Sequence, residues 1–111
     1  MADRNLNQGG DIGSELVREN APFAAIVTQF VAGLGERVKR MEDAIRAADF
    51  DAVQNAAHQL KGSGGGYGYP ILTERAARLE RHARNQALEQ CVDSIEELKA
   101  ICEHVVVDSA E

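Results

Sequence analysis

The sequence predicts an all-α domain: an up-and-down antiparallel four-helix bundle with a short extra helix at the N-terminal end. Three observations predict it. Apolar residues recur at steps of three and four along most of the 111-residue chain, the period of one helical face. The connections between these segments are short, which sets neighbouring helices antiparallel. Ala, Leu, Glu and Arg abound, aromatic residues make up 5% and Trp is absent, a mixture suited to helices rather than sheets. The length allows one domain and not two, and 44% apolar residues is not the composition of a disordered chain.

Taken in order, residues 1–13 contain Gly9, Gly10 and Gly13 and read as a flexible lead-in, with Ile12 and Leu16 able to tuck a short helix against the bundle. The bundle is expected over 14–107, with 108–111 as a tail. Asn20 is placed to cap the next helix and Pro22 suits its first turn. Phe23, Val27, Phe30, Leu34, Val38, Met41, Ile45 and Ala48 then keep one face apolar. Gly33 and Gly35 interrupt that face, so the expectation is one long helix bent there, or two helices nearly in line. Asp49 can cap the third stretch, whose apolar side is Phe50, Val53, Ala56, Leu60 and Tyr67. Pro70 opens a helix striped by Leu72, Ala76, Leu79 and Ala83. After the connection Asn85-Gln86, the last helix carries Leu88, Cys91, Ile95, Leu98, Cys102 and Val105. Its two cysteines would lie roughly 16 Å apart along one helix, too far for a bridge, and are expected to be buried thiols.

Composition also excludes function classes. A net charge of −6 disfavours nucleic acid, whose phosphates need a basic face. No run of 18 apolar residues spans a membrane, and the polar start lacks a signal peptide's apolar stretch. A cytoplasmic monomer is the expectation. No Cys/His cluster has zinc-ligand spacing, and the glycines near Lys61 lack the Walker pattern. His82 and the Arg75, Arg78, Arg81, Arg84 run, with Glu74 and Glu80, are expected on a solvated face, contact with an acidic partner being the other reading of the arginines. His104 is expected to favour its helix C-terminus, and Tyr67 and Tyr69 to sit at the core edge.

One segment breaks the local rules. His58-Gln-Leu-Lys-Gly-Ser-Gly-Gly-Gly-Tyr-Gly68 puts a glycine run directly after good helix formers, at a cost of about 1 kcal/mol for each helical Gly. At about 100° per residue, His58 lies opposite Val53, Ala56 and Leu60 and points to solvent. Gln54, Asn55, Gln59, Lys61, Gly62 and Gly65 surround it. Lys61 can bring its ammonium near the imidazole, and Gly62 and Gly65 leave room for a partner's backbone. Ser63 and Gly64 fall near the core edge, where the Ser63 hydroxyl can bond back to the Gln59 carbonyl. Histidine is mostly neutral at cytoplasmic pH, and its unprotonated nitrogen is a nucleophile toward an activated phosphoryl group. A nearby cation would stabilise the charge transferred.

His58-x-Leu60-Lys61-Gly62-Ser63-x-x-x-x-Gly68, preceded by Ala57, resembles the signature of histidine-phosphotransfer (HPt) domains. The resemblance implies that His58 accepts and donates phosphate, Lys61 steadies it and Gly62 clears room for a receiver domain, with Leu60, Ser63 and Gly68 as structural positions. It further implies a phosphorelay intermediate working with aspartates of response-regulator receiver domains, with a hybrid histidine kinase as a further partner. No cofactor is expected on this chain; the receiver brings the divalent metal and the aspartyl phosphate. No nucleotide site is visible, so the protein is expected to lack kinase activity of its own. Rival readings are a receiver-binding scaffold without chemistry, the phosphoacceptor domain of a chemotaxis-type histidine kinase, and a purely structural bundle, which leaves the glycine run unexplained.

Overall fold

A computed structural model describes residues 11–107; the expected lead-in up to residue 10 and the expected tail at 108–111 lie outside the described residues. Helix α1 spans Glu15–Glu19, a 3-10 turn follows at Ala21–Phe23, and α2 to α6 span Ala24–Ala32, Leu34–Arg46, Phe50–Gly66, Pro70–Arg84 and Leu88–His104. Helix α4 packs against α3 and α5, and α6 completes the square by packing against α3 and α5. This is the all-α bundle that the periodicity predicts. Among the described residues, no helix is long and apolar enough to cross a membrane.

Local chemistry sets the helix ends. The Asp49 carboxylate accepts from the Ala52 amide at 3.1 Å and caps α4, satisfying one of the orphan donors of a helix start. Pro70 occupies the first turn of α5, where its missing N–H costs nothing. Ala48 and Gln86, with φ of 54° and 53°, turn the chain at the two lower corners. At Gly33 the long N-terminal stretch divides into two helices, α2 and α3. The Asn20 side chain makes no capping bond, because a 3-10 turn precedes α2. Ala48, Phe23 and Leu88, expected on apolar stripes, are exposed, and each lies at or just beyond the end of a helix.

The core runs the length of the bundle through Val27, Met41, Val53, Leu60, Leu72, Leu79 and Leu98, all fully buried. Tyr69 is fully buried too, rather than at the core edge, and its hydroxyl donates to the Val106 carbonyl at 2.6 Å. Tyr67 is half-buried and stacks on Phe30 with ring centroids 4.7 Å apart. The two ends of the described chain meet above these rings. The Ile12 amide donates to the His104 carbonyl at 2.7 Å and the Val106 amide to the Ile12 carbonyl at 2.9 Å. Cys91 is buried and Cys102 only half-buried, and neither forms a disulfide. Cys102 lies on the outer edge of the stripe, where burial and the neighbouring Glu103 still push its thiol up to about 11.

Candidate functional site

Helix α4 turns Val53, Ala57 and Leu60 into the core, and that register leaves His58 on the outer side with its side chain 66% exposed. Across the groove between α4 and α5 stands Glu80, only 9% exposed. Its Oε2 lies 3.0 Å from His58 Nδ1 and its Oε1 accepts from the Lys61 ammonium at 2.7 Å. Arg84, one turn further along α5, brings its Nη2 to 3.6 Å from Oε2. One carboxylate therefore gathers an imidazole, an ammonium and a guanidinium from two helices.

The electrostatics fix the protonation pattern. The hydrogen bond from Lys61 holds Glu80 below the usual carboxylate range; burial works against this, and the His58 hydrogen bond lowers it further. An ionised carboxylate can only accept, so Nδ1–H is the donor in this contact, and in the neutral form of the ring the lone pair is then on Nε2. The result is an exposed imidazole oriented by a buried carboxylate, with an ammonium held on the same carboxylate.

The family model of the Hpt domain matches residues 25–107. This chain belongs to the Hpt domain family. Comparison with curated proteins gives no match, and neither does comparison with solved structures. Hpt domains carry out histidine phosphotransfer in two-component signalling and interact, as a class, with receiver domains of response regulators.

In this Hpt domain the residues singled out by sequence separate into distinct environments. Asn55 and Gln59 are exposed beside His58, Gln54 is half-buried, and Leu60 is in the core. A Cβ at Gly62 would meet nothing within 4 Å, whereas one at Gly65 would come 2.9 Å from Thr73 Oγ1. Gly65 is thus a seat for α5 as well as a bare surface, and the Thr73 hydroxyl beside it donates to the Lys61 carbonyl at 2.7 Å. Ser63 is half-buried, and its hydroxyl does not make the expected bond to the Gln59 carbonyl. Gly68 has φ of +93°, and a Cβ there would collide with Ser14 Oγ and the amides of Glu15 and Leu16. The Hpt domain has no group of three His, Cys, Asp or Glu side chains able to hold a metal among its described residues.

Sequence reasoning missed Glu80 and Arg84 by assigning both to a solvated face. That assignment is corrected for Glu80: it is buried and its partners are Lys61, His58 and Arg84. A signal was present, since Glu80 stands beside Leu79 on the core side of the Leu72, Ala76, Leu79, Ala83 stripe. It also lies about as far past the α4–α5 turn as His58 lies before it. Arg75 and Arg78 belong to a separate network, both pairing with Glu97 on α6. His82 is half-buried in a polar cleft of about 340 Å³ with Arg78, Asp93 and Ser94.

Proposed function

We propose that this Hpt domain is a phosphorelay intermediate carrying a phosphoryl group on Nε2 of His58 to and from aspartates of receiver domains. The observation that carries the reading is the contact of the exposed His58, through Nδ1, with the buried Glu80 carboxylate, which favours the neutral tautomer with its lone pair on Nε2. The Nε2 lone pair attacks the phosphorus of the receiver's aspartyl phosphate, and the bond to the aspartate oxygen breaks with its electron pair returning to the carboxylate. No proton has to move. The ring keeps its Nδ1 proton and becomes cationic, and Glu80 is already in place to offset that charge. Lys61, 35% exposed, is near enough to balance the negative phosphoryl oxygens, and reversal of the same steps returns the group to a receiver.

Gly62, bare on the same face, with Gln54, Asn55, Gln59 and the exposed side of Gly65, forms the surface that a receiver approaches. The receiver supplies the divalent metal, and this chain needs no cofactor of its own. The test is incubation with a phosphorylated receiver, followed by a search for acid-labile, base-stable label on this chain. The wild type should take the label and His58→Gln should not, with helicity unchanged by circular dichroism. Label that persists in His58→Gln, or that maps to His82, would reject the assignment.

A further inference from the structure

The four arginines of α5 are not equivalent. Arg75 and Arg78 are engaged by Glu97 on the side facing α6. Arg84 leans over Glu80 with 57% of its side chain still exposed, and Arg81 is exposed and makes no ion pair among the described residues. Arg81 directly follows Glu80 on the outer crest of α5, level with His58, and Arg84 flanks the same groove one turn below. Charge is distributed to match. Helices α4 and α5 together carry Asp51, Glu74 and Glu80 against five basic residues, while α6, diagonally across from α4, carries Glu89, Asp93, Glu96, Glu97 and Glu103 against Lys99 alone. Pairing takes up charge of both signs: Glu74 holds Arg75 and Glu97 holds Arg75 and Arg78, so the group around His58 is Lys61, Arg81 and Arg84 against Glu80 alone. Asp51 lies two turns below His58, near the start of α4. In a chain of net charge −6, the surface around the reactive nitrogen is locally cationic.

We propose that Arg81 and Arg84 form a docking edge beside His58 that takes the acidic rim of a partner protein's phosphoryl site, and that the acidic α6 face repels the same partner from the wrong side. The proposal rests on the phosphorelay reading and adds to it the residues that steer and orient the partner. Complementary charge of this kind raises association rates by factors of ten or more at low salt and loses its effect as salt screens it. A carboxylate-lined metal pocket is the occupant that such an edge fits.

The experiment measures phosphoryl uptake by the full chain from two kinds of donor. One is a panel of receiver domains charged with acetyl phosphate; the other is phosphoramidate, a small donor that needs no docking. With receivers at about 20 mM salt, Arg81→Glu should slow uptake roughly three- to tenfold, and the wild-type and variant rates should converge by about 300 mM. Arg81→Lys should restore the wild-type rate, Arg84→Ala combined with Arg81→Glu should slow uptake further, and Arg78→Gln, whose charge is taken up by Glu97, should change nothing. Uptake from phosphoramidate should be the same in Arg81→Glu as in the wild type. Equal receiver rates and equal salt slopes in wild type and Arg81→Glu would overturn the docking edge. So would an equal loss with phosphoramidate, which would mean that Arg81 acts on His58 chemistry. Duplex DNA that competes with receivers at matched ionic strength would reassign the edge to a nucleic acid. A wild-type chain that accepts phosphoryl groups from phosphoramidate and from no receiver would instead reject the relay reading itself.

Discussion

Replacing Glu80 with Gln keeps the side chain's shape and removes its charge, which isolates what the carboxylate does at residue scale. Gln can donate or accept, so it no longer forces the proton onto Nδ1 of His58. Imidazole ¹⁵N NMR at neutral pH should show the Nδ1–H tautomer in the wild type and a mixture in Glu80→Gln, with slower uptake of phosphoryl groups from any donor. The Lys61 ammonium also loses its counter-charge. Breaking this pair should cost about 1–2 kcal/mol, below the value for a fully buried pair because Lys61 is partly solvated. The pH dependence follows from the lowered pKa of Glu80. Its stabilisation is present above the usual carboxylate range and is lost as pH falls through the depressed folded-state value. Urea midpoints of wild type and variant should therefore differ at neutral pH and converge in acid. A gap that stays constant across that range would show that Glu80 contributes packing alone. His58 and Lys61 were legible in sequence because a helical wheel needs only one helix. Glu80 was not, since its role depends on how α5 lies against α4.

Helix α4 and the turn after it raise the same issue for their glycines, which lie close together in the sequence and serve three purposes in the fold. Gly62 stands in open space, Gly64 would place a Cβ 2.7 Å from Leu72 Cβ and 3.2 Å from the Thr73 amide, and Gly68 is left-handed. Periodicity identified α4 and placed Val53 and Leu60 in its core, but it chose Ala56, which is half-buried, where Ala57 is the fully buried alanine. It could not tell which glycines face α5, because that depends on how closely the two helices approach. Gly62→Ala should stabilise the domain by about 0.5–1 kcal/mol through helix propensity alone. Gly64→Ala should destabilise it by about 1–3 kcal/mol, since the backbone of α5 must yield. Gly62→Gln should keep the stability and slow transfer from receivers, its side chain standing beside His58. Chemical denaturation of the three variants, with transfer rates on the stable ones, checks this; equal stability changes at positions 62 and 64 would contradict the packing described.

At the scale of the whole molecule, the bundle is closed at one end by contacts between segments far apart in sequence. Pattern reading foresaw a short helix near Leu16 but not what holds it, because the holding groups are a serine hydroxyl and backbone carbonyls that carry no periodic signal. Ser14 is fully buried. Its hydroxyl donates to the Tyr67 carbonyl at 2.6 Å and accepts from the Val17 amide at 3.1 Å, while the Glu15 amide donates to the Gly68 carbonyl at 2.7 Å. One side chain thus caps α1 and ties it to the turn that ends α4. Ser14→Ala removes both hydroxyl bonds and strands a buried carbonyl and amide, so it should cost about 1–3 kcal/mol. The loss should be local in origin. Amide exchange should quicken first in α1 and around Tyr67–Tyr69, while the lower halves of α4 and α5 keep their protection. His58 lies more than two turns of α4 before Tyr67, so uptake from phosphoramidate should stay at the wild-type rate in conditions where the variant is folded. Faster exchange spread evenly over all helices would mean that the end closure is inseparable from the bundle. Slower uptake in a folded Ser14→Ala variant would mean that the closure positions His58 as well as holding the chain.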